Sequence, residues 1–429
     1  MISILKMRHG LMRAMKKLIL TLLLLSFEAK SEVLTWQQVV LRAKEKNAEL
    51  LEQMARLRSA EAFEDAAISP FLPQLSASAA GNRSEQNSSG AQDSVSASLN
   101  LRYNLFSGFA DLGRLSRAKE QTLIARLQLR QTLAEVSAQL KESYSNFSYA
   151  KSLVSLNRQI VERRRENMRT VELRYESGRE NKGSVLLSKA YYEEAQLNVS
   201  QSELLVKTYR TQLATLLGYS QEIDLDVVGD IAVEAPLEEP KFADLASKMP
   251  LVQQAEADLR VAKYDYDISL RQGFLPSLDF SSSVGKTDSK FYPDENEHWN
   301  AGLTLTIPLF NGGKDYYGVK AAGEQRVTRE YARDRVFRAA LVSLRDLFAN
   351  YKLIHKKVAI TESFKEAAST RGMISRGKYN NGLMSFEDWD NVENELIQRE
   401  RAFLEAKKES VVVESRWEKA LGESIFDEK

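Results

Sequence analysis

Apolar and polar positions along this chain follow two rhythms, one of three to four residues and one of two. From Leu34 to Ser69 the apolar positions Val39, Val40, Ala43, Ala48, Leu50, Leu51, Met54 and Leu57 stand among charges, which predicts a helix. Pro70 and Pro73 end it. Gln74–Gly81 is short and rich in serine and alanine, and Gly81–Asp93 reads as a polar loop. Val95, Ala97, Leu99, Leu101 and Tyr103 then alternate with Ser94, Ser96, Ser98, Asn100 and Arg102, a strand of about ten residues. Gly108 closes it. From Asp111 to Tyr175 there is no proline and no glycine except Gly113, while Leu133, Val136, Leu140, Tyr144 and Phe147 fall at spacings of three and four. Some 60 residues of helix span about 90 Å, a length suited to a coiled coil or a helical tube rather than a compact domain. Gly178 and Gly183 break the run, Ser184–Leu217 forms a return helix, and Gly218 caps it.

The same order then recurs. Phe71-Leu72-Pro73 returns as Phe274-Leu275-Pro276, Leu105-Phe106-Ser107-Gly108 as Leu309-Phe310-Asn311-Gly312, Arg174-Tyr175-Glu176-Ser177-Gly178 as Lys378-Tyr379-Asn380-Asn381-Gly382, and Leu217-Gly218 as Leu421-Gly422. The offset is roughly 204 positions at each landmark, so one long unit is duplicated. The second copy predicts a helix over Phe242–Gln272 and one strand starting with Leu278, Phe280, Ser282 and Val284. Its partner strand carries Ala301, Leu303, Leu305 and Ile307. A long helix follows from Gly312-Gly313 to near Tyr379, and a return helix runs over Ser385–Leu421. Even the packing stripe repeats, with Leu140, Tyr144 and Phe147 matched by Leu344, Phe348 and Tyr351. The expected organisation is 1–31 as a signal peptide, 32–218 as the first repeat, 219–241 as an acidic, proline-bearing connector, 242–422 as the second repeat and 423–429 as a tail.

The N-terminal segment has the features of an export signal. Lys6, Arg8, Arg13, Lys16 and Lys17 precede the apolar run Leu18–Phe27, which is too short to span as a transmembrane helix. Ala29-Lys30-Ser31 supplies small residues for cleavage near Glu32, and Met12 or Met15 is an alternative start. An uncleaved anchor is the competing expectation. Removing residues 1–31 takes away six basic residues and one acid, leaving 54 against 58, a mature charge of about −4. That balance gives no basic footprint for a nucleic acid. The chain has no cysteine, which excludes disulfides, thiolate metal sites and an N-terminal lipidated cysteine. Beyond residue 31 the two histidines, His298 and His355, are far apart, and no phosphate-cradling loop or paired-carboxylate motif is present. The residues make no case for an enzyme, a cofactor or a metal.

Two hairpins, each with an apolar and a polar face, change the picture. Their strands are about long enough to cross a bilayer when tilted. In lipid a sheet survives only when closed, and four strands cannot close a barrel. Either the hairpins belong to a soluble sheet, or several chains pool them: two would give eight strands, three would give twelve. Phe291, Tyr292 and Trp299 flank the second hairpin's loop where an aromatic girdle would sit; turn packing is the other reading.

Phe-Leu-Pro before each first strand, Leu-Phe-Ser/Asn-Gly after each second strand, Tyr-x-x-Gly at each helical turn and Leu-Gly at each end together resemble the TolC-type outer-membrane efflux factor family, over about Leu34–Gly422. The resemblance implies a mainly α protomer with a small antiparallel β part, internally duplicated, with four long-helix elements plus two β-hairpins. It implies a homotrimer with a twelve-stranded barrel in outer-membrane lipid and a periplasmic α-helical barrel. It also implies a passive duct served by a periplasmic adaptor (membrane fusion) protein and an inner-membrane pump or ABC transporter. Drugs, dyes, metal ions and secreted proteins or peptides are the cargo classes it brings. By position, Ser177, Gly178 and Arg179, and Asn381, Gly382 and Leu383, correspond to the tips that adaptors grip, although the family's small apolar residue before each glycine is here Ser177 and Asn381. Asp388 matches an acidic position at the channel entrance. The next expected acid is Asn391, Glu387 and Asp390 are neighbouring substitutes, and Ser184 takes the equivalent place in the first half. Arg174, Arg179 and Lys182 are candidates for ion pairs that hold the mouth closed. A solvated helix face is the alternative for the acids, and a plain helix–helix turn for the glycines. A soluble periplasmic coiled-coil scaffold or adaptor is the competing function.

Overall fold

The computed structural model describes residues 32–86, 90–220, 223–229, 231–233, 238–289 and 297–426. The expected signal peptide, Phe291 and Tyr292 lie outside them. The order is β1 (Glu32–Thr35), α1 (Trp36–Lys46), α2 (Ala48–Ala66), β2 (Gln74–Gln86), β3 (Gly90–Phe106), α3 (Ala110–Glu176) and α4 (Lys182–Leu216). It continues with β4 (Leu225–Val228), α5 (Phe242–Lys248), α6 (Pro250–Phe274), β5 (Ser277–Asp288), β6 (Glu297–Thr306), α7 (Lys314–Asn380) and α8 (Phe386–Leu421). The long helices α3 and α7 have 67 residues each, or about 100 Å at 1.5 Å per residue. Among the described residues no helix is long and apolar enough to cross a membrane.

The chain forms two compact units. The smaller holds residues up to Lys46 together with Ser143–Ile231. Here the single helix expected over Leu34–Ser69 needs correcting. Glu32–Thr35 is a strand that pairs in parallel with Leu225–Val228, inside the segment 219–241 read as the connector. The helix itself breaks at Asn47, whose extended backbone and side-chain oxygen, accepting from Leu50 N at 3.1 Å, start α2. The β pairing is fixed by partners far apart in sequence, which no local period reveals. Tyr144, fully buried, donates its hydroxyl to the carbonyls of Val228 and Gly229, 3.0 Å each, and its ring makes a T-shaped contact with that of Trp36, centroids 5.2 Å apart. Lys151 Nζ reaches the Asp226 carboxylate at 2.5 Å and the Val227 carbonyl at 3.0 Å.

The larger unit comprises Asn47–Glu142 and Ala232–Lys429. The helix expected over Phe242–Gln272 is two helices, because Pro250 opens α6 and holds Met249 extended at ψ 133°. Ala246, Met249, Val252, Ala340 and Leu344 form a core flanked by Phe242, Trp417 and Leu421. The duplicated stripe is buried in both copies: Leu140, Tyr144 and Phe147 in one, Leu344, Phe348 and Tyr351 in the other. The polar segment 81–93 is not all loop. β2 continues to Gln86 and β3 starts at Gly90, with Arg83 facing Asp93 across the pair at 3.7 Å. The sequence there has no alternating apolar positions, so no period of two appears, while backbone pairing continues. All four long strands join one antiparallel sheet in the order β2-β3-β5-β6, with a register shift between Asn104 and Phe106.

Gly422 ends α8 at φ +71°, and a Cβ there would lie 2.3 Å from Pro250 Cγ. At Gly178 (φ +70°) a Cβ would meet nothing within 4 Å. Gly422→Ala therefore adds a steric clash to the left-handed penalty that Gly178→Ala incurs alone, about 1 kcal/mol. We expect Gly422→Ala to lower the thermal midpoint well beyond Gly178→Ala, measured by circular dichroism. Equal midpoints would show that the α6–α8 contact yields freely.

Candidate functional site: hairpin tips and an open sheet

Each long-helix pair reverses through a loop of the same design. In the smaller unit, Gly178 N donates to the Tyr175 carbonyl at 2.9 Å and Arg179 N to the Arg174 carbonyl at 2.8 Å, with glycine in the left-handed region. This hydrogen-bonded stop satisfies carbonyls that the helix end leaves open. Asn181 then caps α4, its side-chain oxygen accepting from Ser184 N at 2.9 Å. In the larger unit, Gly382 N donates to the Tyr379 carbonyl and Leu383 N to the Lys378 carbonyl, 2.9 Å each, with Gly382 at φ +76°. Ser385 caps α8, accepting from Asp388 N at 3.1 Å. Ser177, Gly178, Arg179, Asn381, Gly382 and Leu383 are all exposed.

The two tips differ in what stands behind the loop. At the second, Tyr379 stacks on Trp389 at 4.2 Å and 13°, and Phe386 meets Trp389 edge-on at 6.3 Å. All three rings are buried, so the second reversal has an aromatic core of its own. Tyr175, the counterpart of Tyr379, is exposed. The aromatic cluster is missed in sequence because Lys182 and Val185 occupy the equivalent places in the first copy.

The candidate acids divide by helix face. Glu387, Asp388 and Asn391 are exposed. The Asp388 carboxylate accepts from Ser385 Oγ at 2.7 Å, so serine and aspartate serve each other at the helix start. Asp390 is 7% exposed and accepts from Asn394 Nδ2 at 2.9 Å. It points into the protomer with Trp389 and Glu393, which corrects the expectation that it can stand in for an entrance acid. Glu393, 1% exposed and 3.8 Å from Arg376, was not singled out in the sequence.

The sheet has two chemically opposite faces. Register places Ala77, Leu99, Val284 and Trp299 in one row and Leu75, Leu101, Ser282 and Ala301 in the next, with Tyr103, Phe280 and Leu303 beyond. Leu75, Trp299, Leu303 and Leu305 on this face are each more than 60% exposed. The other face presents Ser76, Ser78, Ser98, Asn100, Ser283, Asn300 and Thr304, with Ser78 and Ser98 hydroxyls 2.8 Å apart. β2 and β6 are the outer strands of this sheet, so each offers one row of backbone groups to no strand of its own protomer among the described residues.

The family model for outer membrane efflux proteins matches residues 39–219 and again residues 243–423. This chain belongs to the outer membrane efflux protein family. The matches lie 204 positions apart at both ends, the same offset as the sequence landmarks. Among curated proteins, the chain is 24% identical to the alkaline protease secretion protein AprF of Pseudomonas aeruginosa, over 73% of this chain and 67% of AprF. It is 22% identical to the outer membrane efflux protein BepC of Brucella suis, over 98% of this chain and 93% of BepC. Among solved structures it superposes on CusC with a TM-score of 0.80 at 16% identity, covering 90% of this chain and 92% of CusC. It superposes on the outer membrane protein VceC of Vibrio cholerae with a TM-score of 0.77 at 18% identity, covering 91% and 96%. The protein is thus a TolC-type outer-membrane channel, of a family of channels rather than enzymes, and the soluble-scaffold reading is not favoured.

Proposed function

We propose that three copies of this chain pool their sheets into a closed twelve-stranded barrel in the outer membrane. In this reading the long helices form a periplasmic tube, and the assembly is the passive exit duct of a tripartite efflux or type I secretion system. The observation that carries the proposal is the open four-stranded sheet, apolar and exposed on one face, polar on the other, with two outer edges. Backbone groups at those edges need partners in hydrocarbon, and one protomer's four strands cannot supply them. Eight strands from two copies would also close; the family resemblance favours three. The apolar face then meets lipid and the polar face lines the channel.

Energy comes from an inner-membrane pump or ABC transporter, linked through a periplasmic adaptor protein. The exposed tips Ser177-Gly178-Arg179 and Asn381-Gly382-Leu383 are the proposed adaptor contacts. Leu383 at 76% exposure offers an apolar knob at the second, where the first offers Arg179. At the entrance Asp388, with Glu387 and Asn391 beside it, is the proposed acidic ring; a threefold set of carboxylates concentrates cations and repels anions. Asp390 instead supports the hairpin from within. Cargo divides the relatives: AprF is named for protease secretion and BepC for efflux.

Leu303→Arg, on the apolar face, should sharply reduce recovery of trimers from outer membranes, since an arginine near mid-bilayer costs about 2–4 kcal/mol per copy. Thr304→Arg, next along β6 on the polar face, should leave recovery intact. Recovery of the unaltered protein as a soluble monomer would end the barrel reading. Asp388→Asn should reduce cation preference in planar bilayers, while Ser385→Ala, which removes the cap at a cost of about 1 kcal/mol, should not; an identical loss in both would assign Asp388 to capping alone. A bulky side chain at Gly382 should impair export while trimers persist in detergent gels, and loss of trimers would mean this glycine serves assembly.

A further inference from the structure

We propose that the polar face of the sheet carries a station for anionic groups of passing cargo, built from Arg102 with Asp279 recessed behind it. The proposal rests on the reading of this face as the channel wall.

Register puts the even positions of β2, β3 and β6 and the odd positions of β5 on the polar face. Among the described strand residues there, Arg102 and Asp279 alone carry a fixed charge. The remainder, with β3 taken up to the register shift after Asn104, are hydroxyls, amides, small residues and His298. The wall is therefore neutral along most of its length and changes character at one level, close to where the strands join the helices. Charges on the opposite face, such as Lys286 with Glu297 and Arg83 with Asp93, stand toward the loops.

Within the pair, the cation faces outward. The Arg102 side chain is 73% exposed and that of Asp279 is 23%. Arg102 Nη2 stands 3.8 Å from Asp279 Oδ1, and the same oxygen accepts from Asn104 Nδ2 at 3.2 Å. An exposed ion pair at that separation holds its partners weakly. The guanidinium keeps donors in a planar fork that matches a carboxylate or sulfonate. The pair borders a recess of about 520 Å³, where Gln74, Gln272 and Thr306 add uncharged polar groups. Arg114 and Asp111, also on its wall, already pair with each other. At physiological salt the field of one arginine is screened within about 8 Å. The station thus acts on groups that touch the wall, such as acidic side chains of a peptide or the acid of a small molecule.

The absence of cysteine makes the test clean. Ser281 is exposed and sits directly opposite Arg102 in the β3–β5 register. Ser281→Cys in the full-length protein, purified as its native assembly, is treated with a sulfonate-bearing and a trimethylammonium-bearing methanethiosulfonate. Each rate is divided by that for a free thiol. We expect the ratio to favour the anionic reagent by about threefold at 0.15 M salt. Added Arg102→Gln should bring it down to unity or below, added Asp279→Asn should raise it, and Arg83→Gln on the other face should leave it unchanged. An unchanged ratio in the Arg102→Gln variant, or a shift in the same direction in both variants, overturns the station. A cationic preference in the Ser281→Cys protein overturns it as well. Failure of the channel reading has a different signature, a monomer in which the charge effect persists without a pore, and it removes the cargo role.

Discussion

A β-sheet with free edges and an apolar, solvent-exposed face cannot be an end state in lipid. Each unpaired N–H or C=O in hydrocarbon costs several kcal/mol, so the edges must meet other strands. In this protein β2 and β6 are those edges, and most of the remaining structure relates to them. The duplicated order of hairpin, long helix and return helix delivers two hairpins to one sheet. Each hairpin is followed by a 67-residue helix. In the proposed barrel, alternation of Leu, Val and Trp with Ser, Asn and Thr sets which face meets lipid and which meets water.

Much of this is legible in the sequence, for a physical reason. The duplication, the long helices and the hairpin alternation are periodic, and a period shows itself locally. The tips were legible because a left-handed glycine after a helix is a local requirement, met at Gly178 and Gly382. What escaped was set by distant partners. β1 has only Glu-Val-Leu-Thr to announce it, and its strand character comes from Leu225–Val228. The continuation of β2 and β3 past Gly81 has no signal because the sequence there has no alternating apolar positions. The helix expected over Phe242–Gln272 is divided by Pro250, which starts a new helix at its own position.

The residues proposed for the entrance show the same division. Glu387, Asp388, Trp389 and Asp390 are consecutive, and helical geometry sends Trp389 and Asp390 inward and the first two outward. A motif match supplies a position but not a face. The aromatic cluster of Tyr379, Phe386 and Trp389 decides the face, because its burial fixes the rotation of α8 against α7. Arg102 and Asp279 were overlooked because they lie in different repeats; only the β3–β5 pairing brings them together.

The parallel pairing of Glu32–Thr35 with Leu225–Val228 also sets an order of events for the growing chain. The earliest strand stays without its neighbour until nearly two hundred further residues have appeared, a loop whose closure is entropically costly and slow. When it does close, Tyr144 in the middle of α3 donates to Val228 and Gly229. A truncated or stalled first repeat would lack this clasp. The small sheet therefore pairs only after α3 and α4 have been made in full.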